Sequence, residues 1–167
     1  MIDTGSTGFM LLACSLVMLM TPGLAFFYGG LATKRNILGI MIQSFVSLGW
    51  TTVLWFAFGY SLCFSGGEGG IFGNFDKAFL MGVGMDSMYT NGKIPEFVFI
   101  AYQMMFAIIT PALITGAFAN RVTFKSYMIF LTFWQVLVYY PFVHMVWGGG
   151  LLAQWGVLDF AGGIVVH

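Results

Sequence analysis

The sequence predicts an all-α polytopic membrane protein. Of its 167 residues, 59% are hydrophobic and only 7% are charged, and the mean hydropathy is +0.91. This composition excludes an ordinary soluble domain of this length. The few charged residues leave four uncharged stretches, each at least as long as the roughly 20 residues that a spanning helix needs. These stretches are residues 4–33, 36–67, 97–120 and 126–158.

We therefore predict four complete spans within one membrane domain that covers residues 1–167. Their expected bounds are about residues 8–32, 37–64, 96–119 and 124–146. Apolar sequence resumes at residues 160–167, which predicts the start of a fifth helix. So short a segment cannot cross a hydrocarbon core about 30 Å thick, so the chain is expected to be a fragment of a longer domain.

The cations predict the orientation of the chain. Lys34 and Arg35 follow the first span, and Arg121 and Lys125 follow the third. Because cytoplasmic loops carry an excess of lysine and arginine close to helix ends, these two ends are expected to be cytoplasmic. The longer connection between the second and third spans then faces outside, and the N-terminus is external.

Several functional classes find no support in the sequence. Six lysines and arginines in all do not form the basic stripe of a nucleic-acid-binding protein. The glycine clusters at residues 66–70 and 148–150 lack the Gly-Lys-Ser/Thr of a phosphate-binding loop and are interpreted as loop formers. Cys14 and Cys63 are expected to be buried thiols without a disulfide. We expect no metal, no cofactor and no enzymatic activity.

An ionisable histidine stands in apolar sequence at the end of the chain. Asp159 has the side chain to cap the fifth helix by accepting from the amides of Ala161 or Gly162. His167 then lies about 12 Å further along the helix axis, near the bilayer midplane. Gly163, one turn above it on the same face, removes a side chain from the path to the imidazole. A narrow passage fits this pattern, and so does a histidine hydrogen-bonded to a neighbouring helix.

Aromatic residues supply a second cluster at the outer side. Tyr102 and Phe106 are four residues apart and share one face of the third span, and Trp147 ends the fourth span on the same side. An indole at this level is commonly an interfacial anchor. Three rings together can instead form a cage for a small cation, which binds aromatic faces by about 0.5–2 kcal/mol. His144 is expected to support Trp147 by packing or hydrogen bonding and not to line a pore.

Four segments closely resemble the ammonium transporter (Amt/Mep/Rh) family. They are TPGLAFFYGGL at 21–31, YQMMFA at 102–107, HMVWGGG at 144–150 and DFAGGIVVH at 159–167. The resemblance covers essentially the whole chain, with the motifs in the family's order and spacing. It implies the first five-helix repeat of an eleven-helix subunit, which assembles as a homotrimer with one pore in each subunit.

The resemblance also implies roles for individual residues. Trp147 and Phe106, with Tyr102 beside them, match the family's outer site for recruiting the cation, and Phe106 matches the upper aromatic gate of the pore. Asp159 matches the structural aspartate beneath that site, and His167 matches the first of two paired pore histidines. The second histidine, a lower phenylalanine gate and a serine of the outer site belong to the second repeat.

Three positions depart from the family's usual pattern. Asn120 stands where a glutamate is usual, Ile164 where threonine is common, and Tyr102 where phenylalanine is frequent. None of these changes removes a residue assigned to the pore.

The resemblance implies ammonium or ammonia transport through the plasma (inner) membrane. NH4+ is expected to bind at the outer aromatic site, lose a proton and pass the pore histidines as ammonia. An alternative is an ammonium sensor that couples the same fold to a fused signalling domain. Besides the lipid bilayer, a transporter of this family is expected to have a trimeric nitrogen-signal protein as a regulatory partner.

Overall fold

The computed structural model describes residues 2–89, 92–119 and 121–167, so the departure at Asn120 lies outside the described residues. The described residues form α-helices, two π-helical segments, one 3-10 turn and a short hairpin. The α-helices are α1 Thr4–Leu31, α2 Ile37–Leu54, α3 Tyr60–Phe64, α4 Glu96–Leu113, α5 Thr115–Phe118, α6 Phe124–Trp134, α7 Tyr140–Trp147 and α8 Leu151–Gln154.

Four helical stretches of this chain are long and apolar enough to cross a membrane. They are Thr4–Leu31, Ile37–Phe64, Glu96–Phe118 and Phe124–Gln154. The predicted all-α polytopic membrane fold is therefore confirmed. The second stretch runs from α2 to α3 through a π-helical segment, Trp55–Gly59, and the fourth runs from α6 to α7 through another, Gln135–Tyr139. No feature of the apolar pattern predicted these wider turns, which leave the hydropathy of a span unchanged.

The fifth helix predicted at residues 160–167 is not present among the described residues, which form turns there. Ala161 and Gly162 have φ of 54° and 75°, a left-handed conformation that cannot begin a right-handed helix. Beyond them, the amides of Val166 and His167 both bond to the carbonyl of Gly162, at 2.8 and 3.0 Å. A single helical turn therefore follows Gly162, and residue 160 does not begin a helix.

The chain divides into two compact units, the first of which comprises residues 1–50 and 83–123. In this unit α1 packs against α4. The face that α1 buries consists of Thr21, Ala25 and Gly29, which are spaced four apart and therefore share one side of the helix. Their small side chains allow close approach between helices, as is common in membrane bundles.

Side-chain hydrogen bonds add to the packing of this unit. The Ser47 hydroxyl donates to the Ile108 carbonyl at 2.6 Å, and the Tyr28 hydroxyl donates to the Leu113 carbonyl at 3.2 Å. Large apolar side chains on the remaining surface of α1 are exposed, among them Phe9 and Leu19. A surface of this kind suits lipid or further membrane helices.

A two-stranded hairpin precedes α4 in the first unit. Strand β1, Met88–Tyr89, pairs antiparallel with β2, Ile94–Pro95. The amide of Asp3 donates to the Lys93 carbonyl at 2.9 Å, and the Asp3 carboxylate caps α1 by accepting from the amides of Gly5 and Ser6. The start of α1 is thereby joined to the hairpin.

The second unit comprises residues 51–82 and 124–167. Its core is aromatic: the rings of Trp55, Tyr60 and Tyr140 contact one another or share a partner, with Trp55 centred 6.0 Å from Tyr60 and 6.1 Å from Tyr140. Gly59 permits this packing, because a Cβ atom there would lie 2.7 Å from the Tyr140 hydroxyl oxygen. The Gln135 amide donates to Thr51 at 3.3 Å. Tyr60 of α3 and Tyr140 of α7 thus pack against the same ring, that of Trp55.

Candidate functional site

Trp147 and Asp159 lie together at one end of the second unit. The indole Nε1–H of Trp147, the last residue of α7, donates to Asp159 Oδ2 at 3.0 Å. Both residues are half-buried. An indole has a single donor, so this bond fixes the direction of the ring edge and leaves its faces for other contacts.

The second carboxylate oxygen of Asp159 holds the turn that follows it. Oδ1 accepts from the backbone amide of Ile164 at 3.1 Å. The expectation that Asp159 caps a helix at the amides of Ala161 or Gly162 was therefore wrong. Those two residues are left-handed, which turns the chain so that Ile164 presents its amide to the carboxylate.

The positions of Gly162 and Gly163 differ in how strongly they require glycine. Gly162 has a φ of 75°, a conformation that favours glycine, and a Cβ atom there would lie 3.1 Å from Val166. At Gly163 a Cβ atom would meet Phe160 O at 3.4 Å and Asp159 Oδ1 at 3.8 Å, which are ordinary or slightly tight contacts. Within the described chain, the stronger demand for glycine therefore falls on Gly162, which the sequence reasoning did not single out.

Tyr102 and Phe106 form a pair of rings on α4, in the first unit. Their centroids are 5.0 Å apart and their planes meet at 84°, an edge-to-face arrangement. Both side chains are half-buried. The Thr110 hydroxyl donates to the Phe106 carbonyl at 2.6 Å, as expected for a threonine within an apolar helix. The predicted sharing of one helix face by these two rings is present.

His167 and His144 have very different surroundings. The side chain of His167 is exposed in this chain, and its backbone amide bonds to Gly162. His144 is fully buried in α7. Its Nδ1 lies 3.0 Å from the Cys63 carbonyl oxygen, and its Nε2 lies 2.9 Å from the Gly67 carbonyl oxygen. Both contacts are to backbone carbonyls about 80 residues away in the chain, which the sequence did not identify, and the support of Trp147 by His144 stays a prediction.

The second unit offers an oriented indole beside a carboxylate, and the first unit, taken by itself, offers an edge-to-face pair of rings. Aromatic faces attract cations, and a nearby carboxylate adds negative potential. Among the described residues, no group of three or more histidine, cysteine, aspartate or glutamate side chains has the geometry to hold a metal ion.

Comparison with known proteins assigns the chain to a family. The model of a family described as the Ammonium Transporter Family matches residues 8–167. The chain belongs to this family. An ammonium transporter of Bacillus subtilis is 47% identical over 163 residues, which are 98% of this chain and 40% of that protein.

Solved structures of the Ammonium Transporter Family share the fold. The crystal structure of Candida albicans Mep2 has a TM-score of 0.88 at 33% identity, over 99% of this chain and 36% of that one. A structure described as a sensor Amt protein has a TM-score of 0.85 at 27% identity, over 95% of this chain and 39% of that one. The chain thus spans well under half the length of these relatives. Four apolar helices and membership of a transporter family, not an enzyme family, make it part of a multi-pass integral membrane protein.

Proposed function

We propose that the full-length protein containing this chain transports ammonium across a membrane. The observation that carries the proposal is the match of residues 8–167 to the Ammonium Transporter Family. The oriented indole and the ring pair within the chain are consistent with recruitment of a small cation.

In this proposal Trp147, Phe106 and Tyr102 collect NH4+ at the outer side. The hydrogen bond from the Trp147 indole to Asp159 fixes the ring, and the carboxylate adds negative potential without replacing the aromatic contact. Cation–π attraction of about 0.5–2 kcal/mol is weak enough to release the ion again, as conduction requires. Phe106 also serves as the upper gate. Asp159 and the turn through Gly163 support the site.

Desolvation favours passage as ammonia. Carrying an unpaired ammonium ion through a dry pore costs several kcal/mol or more, whereas neutral ammonia loses far less hydration. NH4+ therefore gives up one proton, NH3 passes His167 and a partner histidine outside this chain, and the proton crosses separately along the histidines. Potassium is rejected because it has no proton to lose and finds no oxygens to replace its water.

The remaining parts of the proposal concern topology and assembly. The chain belongs to the N-terminal five-helix repeat, with an external N-terminus set by Lys34, Arg35, Arg121 and Lys125. The full-length protein is a homotrimer in the plasma (inner) membrane, and a trimeric nitrogen-signal protein regulates it.

Ammonium-evoked current in proteoliposomes tests this function in the full-length protein. We expect His167→Asp to abolish the current or its selectivity for ammonium over potassium, because a carboxylate holds a cation where the proposal requires a neutral group. Ile164→Thr, a neighbouring change outside the proposed pore lining, is the matched control and should retain transport. Unchanged, potassium-insensitive ammonium currents in His167→Asp would refute the proposed role of that histidine.

The likeness to a sensor Amt protein supports a second candidate function. A receptor would use the same fold to bind ammonium and pass the signal to a fused domain. The same proteoliposomes separate the two functions: tight binding of ammonium without any current favours the sensor, and current at saturating ammonium favours the transporter.

A further inference from the structure

We propose that a pocket at the start of α2 binds the phosphodiester and the headgroup hydroxyls of an anionic phospholipid, phosphatidylglycerol. The pocket lies in the first unit, where the connection between two membrane spans enters α2, and therefore at the level of the membrane surface. Its volume is about 180 Å³, and the residues that line it are Arg35, Asn36, Gly39, Ile40, Gln43 and Val122. The inference goes beyond the proposed function and does not depend on ammonium transport.

One face at the start of α2 forms the wall of the pocket. Asn36 is followed at three- and four-residue spacing by Gly39, Ile40 and Gln43, and residues spaced in this way share one side of a helix. Gly39 leaves this wall open, because a Cβ atom there would meet no surrounding atom within 4 Å. A ligand can therefore occupy the space that a side chain at residue 39 would fill.

The pocket is positively charged and has no carboxylate to compensate the charge. Arg35 places a guanidinium at its rim, and Lys34 and Arg121 are close to lining residues in the chain. The segments 4–67 and 97–158 contain no aspartate or glutamate. The N-terminal end of α2 adds a partial positive charge. A phosphodiester suits this site, because a guanidinium binds two phosphate oxygens through parallel N–H bonds.

The most buried polar side chain of the pocket lacks a hydrogen-bond donor. Gln43 is only 7% exposed, and its Oε1 has no hydrogen-bond partner among the described residues. Buried acceptors are rarely left without a donor. Asn36 uses its Nδ2 to donate to Thr33 Oγ1 at 2.8 Å, and its Oδ1 is a second acceptor at the pocket. A matching ligand therefore carries hydrogen-bond donors as well as an anionic group.

Phosphatidylglycerol combines these properties. Its phosphodiester is anionic, and its glycerol headgroup carries hydroxyls that can donate to the two amide oxygens. The headgroups of phosphatidylethanolamine and phosphatidylcholine instead carry an ammonium group, which the cations of the pocket disfavour. Basic pockets at the ends of membrane helices are known to bind anionic lipid headgroups in this way.

The surface of α2 beside the pocket favours a lipid over a free phosphate ion. Leu38, Ile42 and Phe45 are exposed and lie three or four residues apart, so they form an apolar face that extends from the pocket into the span. Acyl chains can lie along this face while the headgroup occupies the pocket. A free phosphate ion would gain nothing from it.

Native mass spectrometry of the full-length protein in detergent, titrated with single lipids, tests the ligand. We expect phosphatidylglycerol to bind more tightly than phosphatidylmethanol, which has the same charge but no hydroxyl, and phosphatidylcholine to bind most weakly. Arg35→Gln should weaken both anionic lipids about tenfold. Lys34→Gln removes the same charge outside the pocket lining and should change their affinities by less than about threefold. Equal effects of the two substitutions would overturn the proposal.

A second comparison tests the contact between the headgroup and Gln43. Gln43→Leu removes the unpaired acceptor at similar volume, so the variant is expected to fold. It should abolish the preference for phosphatidylglycerol over phosphatidylmethanol and leave the affinity for phosphatidylmethanol within about twofold. A preference retained in Gln43→Leu would overturn the proposed contact with the headgroup hydroxyls.

A pair of glycine variants tests the location of the site. At both Gly39 and Gly49 of α2 a Cβ atom would meet no surrounding atom within 4 Å, but only Gly39 lines the pocket. Gly39→Leu should fill the pocket and weaken phosphatidylglycerol about tenfold, whereas Gly49→Leu should leave its affinity unchanged. Equal affinities in the two variants would overturn the proposal, as they would if another part of the full-length protein already fills the pocket.

Two controls separate this inference from its neighbours. Inorganic phosphate at the concentration of the lipid should not displace phosphatidylglycerol, and displacement that requires Arg35 would identify a free anion as the ligand and overturn the lipid assignment. A wild-type protein without ammonium current would refute the proposed function and leave the lipid preference standing. Ammonium current without any preference among the three lipids would overturn this inference and leave the proposed function standing.

Discussion

The bond between the Trp147 indole and the Asp159 carboxylate provides a quantitative test of the outer site. Asp159→Ala removes two hydrogen bonds, one from Trp147 Nε1 at 3.0 Å and one from the Ile164 amide at 3.1 Å. Trp147→Phe keeps an aromatic ring and removes only the first of these bonds, together with part of the packing. Combining the two substitutions isolates the energy of that one bond.

The magnitude follows from the burial of the two residues. Hydrogen bonds to charged groups contribute about 1.5–3 kcal/mol to stability, and those of half-buried groups lie at or below the lower end because solvent screens them. We therefore expect the Trp147–Asp159 bond to contribute about 1–2 kcal/mol. Asp159→Ala should cost about 2–4 kcal/mol, since both bonds are lost. The loss of the Ile164 bond is common to both arms of the cycle and cancels.

The measurement is the free energy of unfolding of the full-length protein in mixed detergent micelles, for the wild type, the two single variants and the double variant. The double variant should be more stable than additivity predicts by about 1–2 kcal/mol. Trp155→Phe is the matched control, because this indole in the same segment is 70% exposed and should combine additively with Asp159→Ala. Additivity within about 0.5 kcal/mol for Trp147→Phe as well would refute the bond.

Two further predictions concern the first unit. Ser47→Ala removes the 2.6 Å bond to the Ile108 carbonyl and should lower the unfolding free energy by about 0.6–1.7 kcal/mol. Ser15→Ala is the control and should be nearly neutral, because the Ser15 hydroxyl bonds within its own helix to Leu11. Equal losses of unfolding free energy in the two variants would contradict the argument. Hydrogen bonds from Ser6 hold the pKa of Asp3 below its ordinary value of 3.8, so the cap is fully present above that value and is lost as the pH falls through the lowered pKa. Carboxyl NMR titration measures this pKa directly, and an unshifted value would contradict the cap.

The membrane spans could be predicted because they depend on composition alone. Uncharged stretches of sufficient length require helices in lipid, where every backbone amide and carbonyl must be satisfied within the segment. The π-helical segments at 55–59 and 135–139 could not be predicted from the apolar pattern, and neither could the close contact between Gly59 and Tyr140. Hydropathy carries no information about a contact between residues so far apart in the chain.

The error at residues 160–167 has a local cause. The alternation of an aspartate, glycines and apolar residues resembles a capped helix, and the expected cap follows from that pattern. The actual turn depends on Ala161, a residue that rarely adopts positive φ and so gives no sign of it in the sequence. The Asp159 carboxylate still accepts from a backbone amide there, but this amide lies two or three residues further along the chain than the one a helix cap would use.

The segment at 144–150 shows which contacts of a motif the sequence can predict and which it cannot. In the segment HMVWGGG at 144–150, the spacing of three residues between His144 and Trp147 places both on one helix face and predicts a histidine that supports the indole. Its glycines were interpreted as loop formers, but a Cβ atom at Gly148 would also lie 2.1 Å from the Cys63 carbonyl oxygen of α3. A glycine can be required because a neighbouring atom leaves no room for a side chain, or because a turn needs its backbone conformation. The sequence alone does not distinguish these cases when the neighbouring atom lies, as here, about 80 residues away.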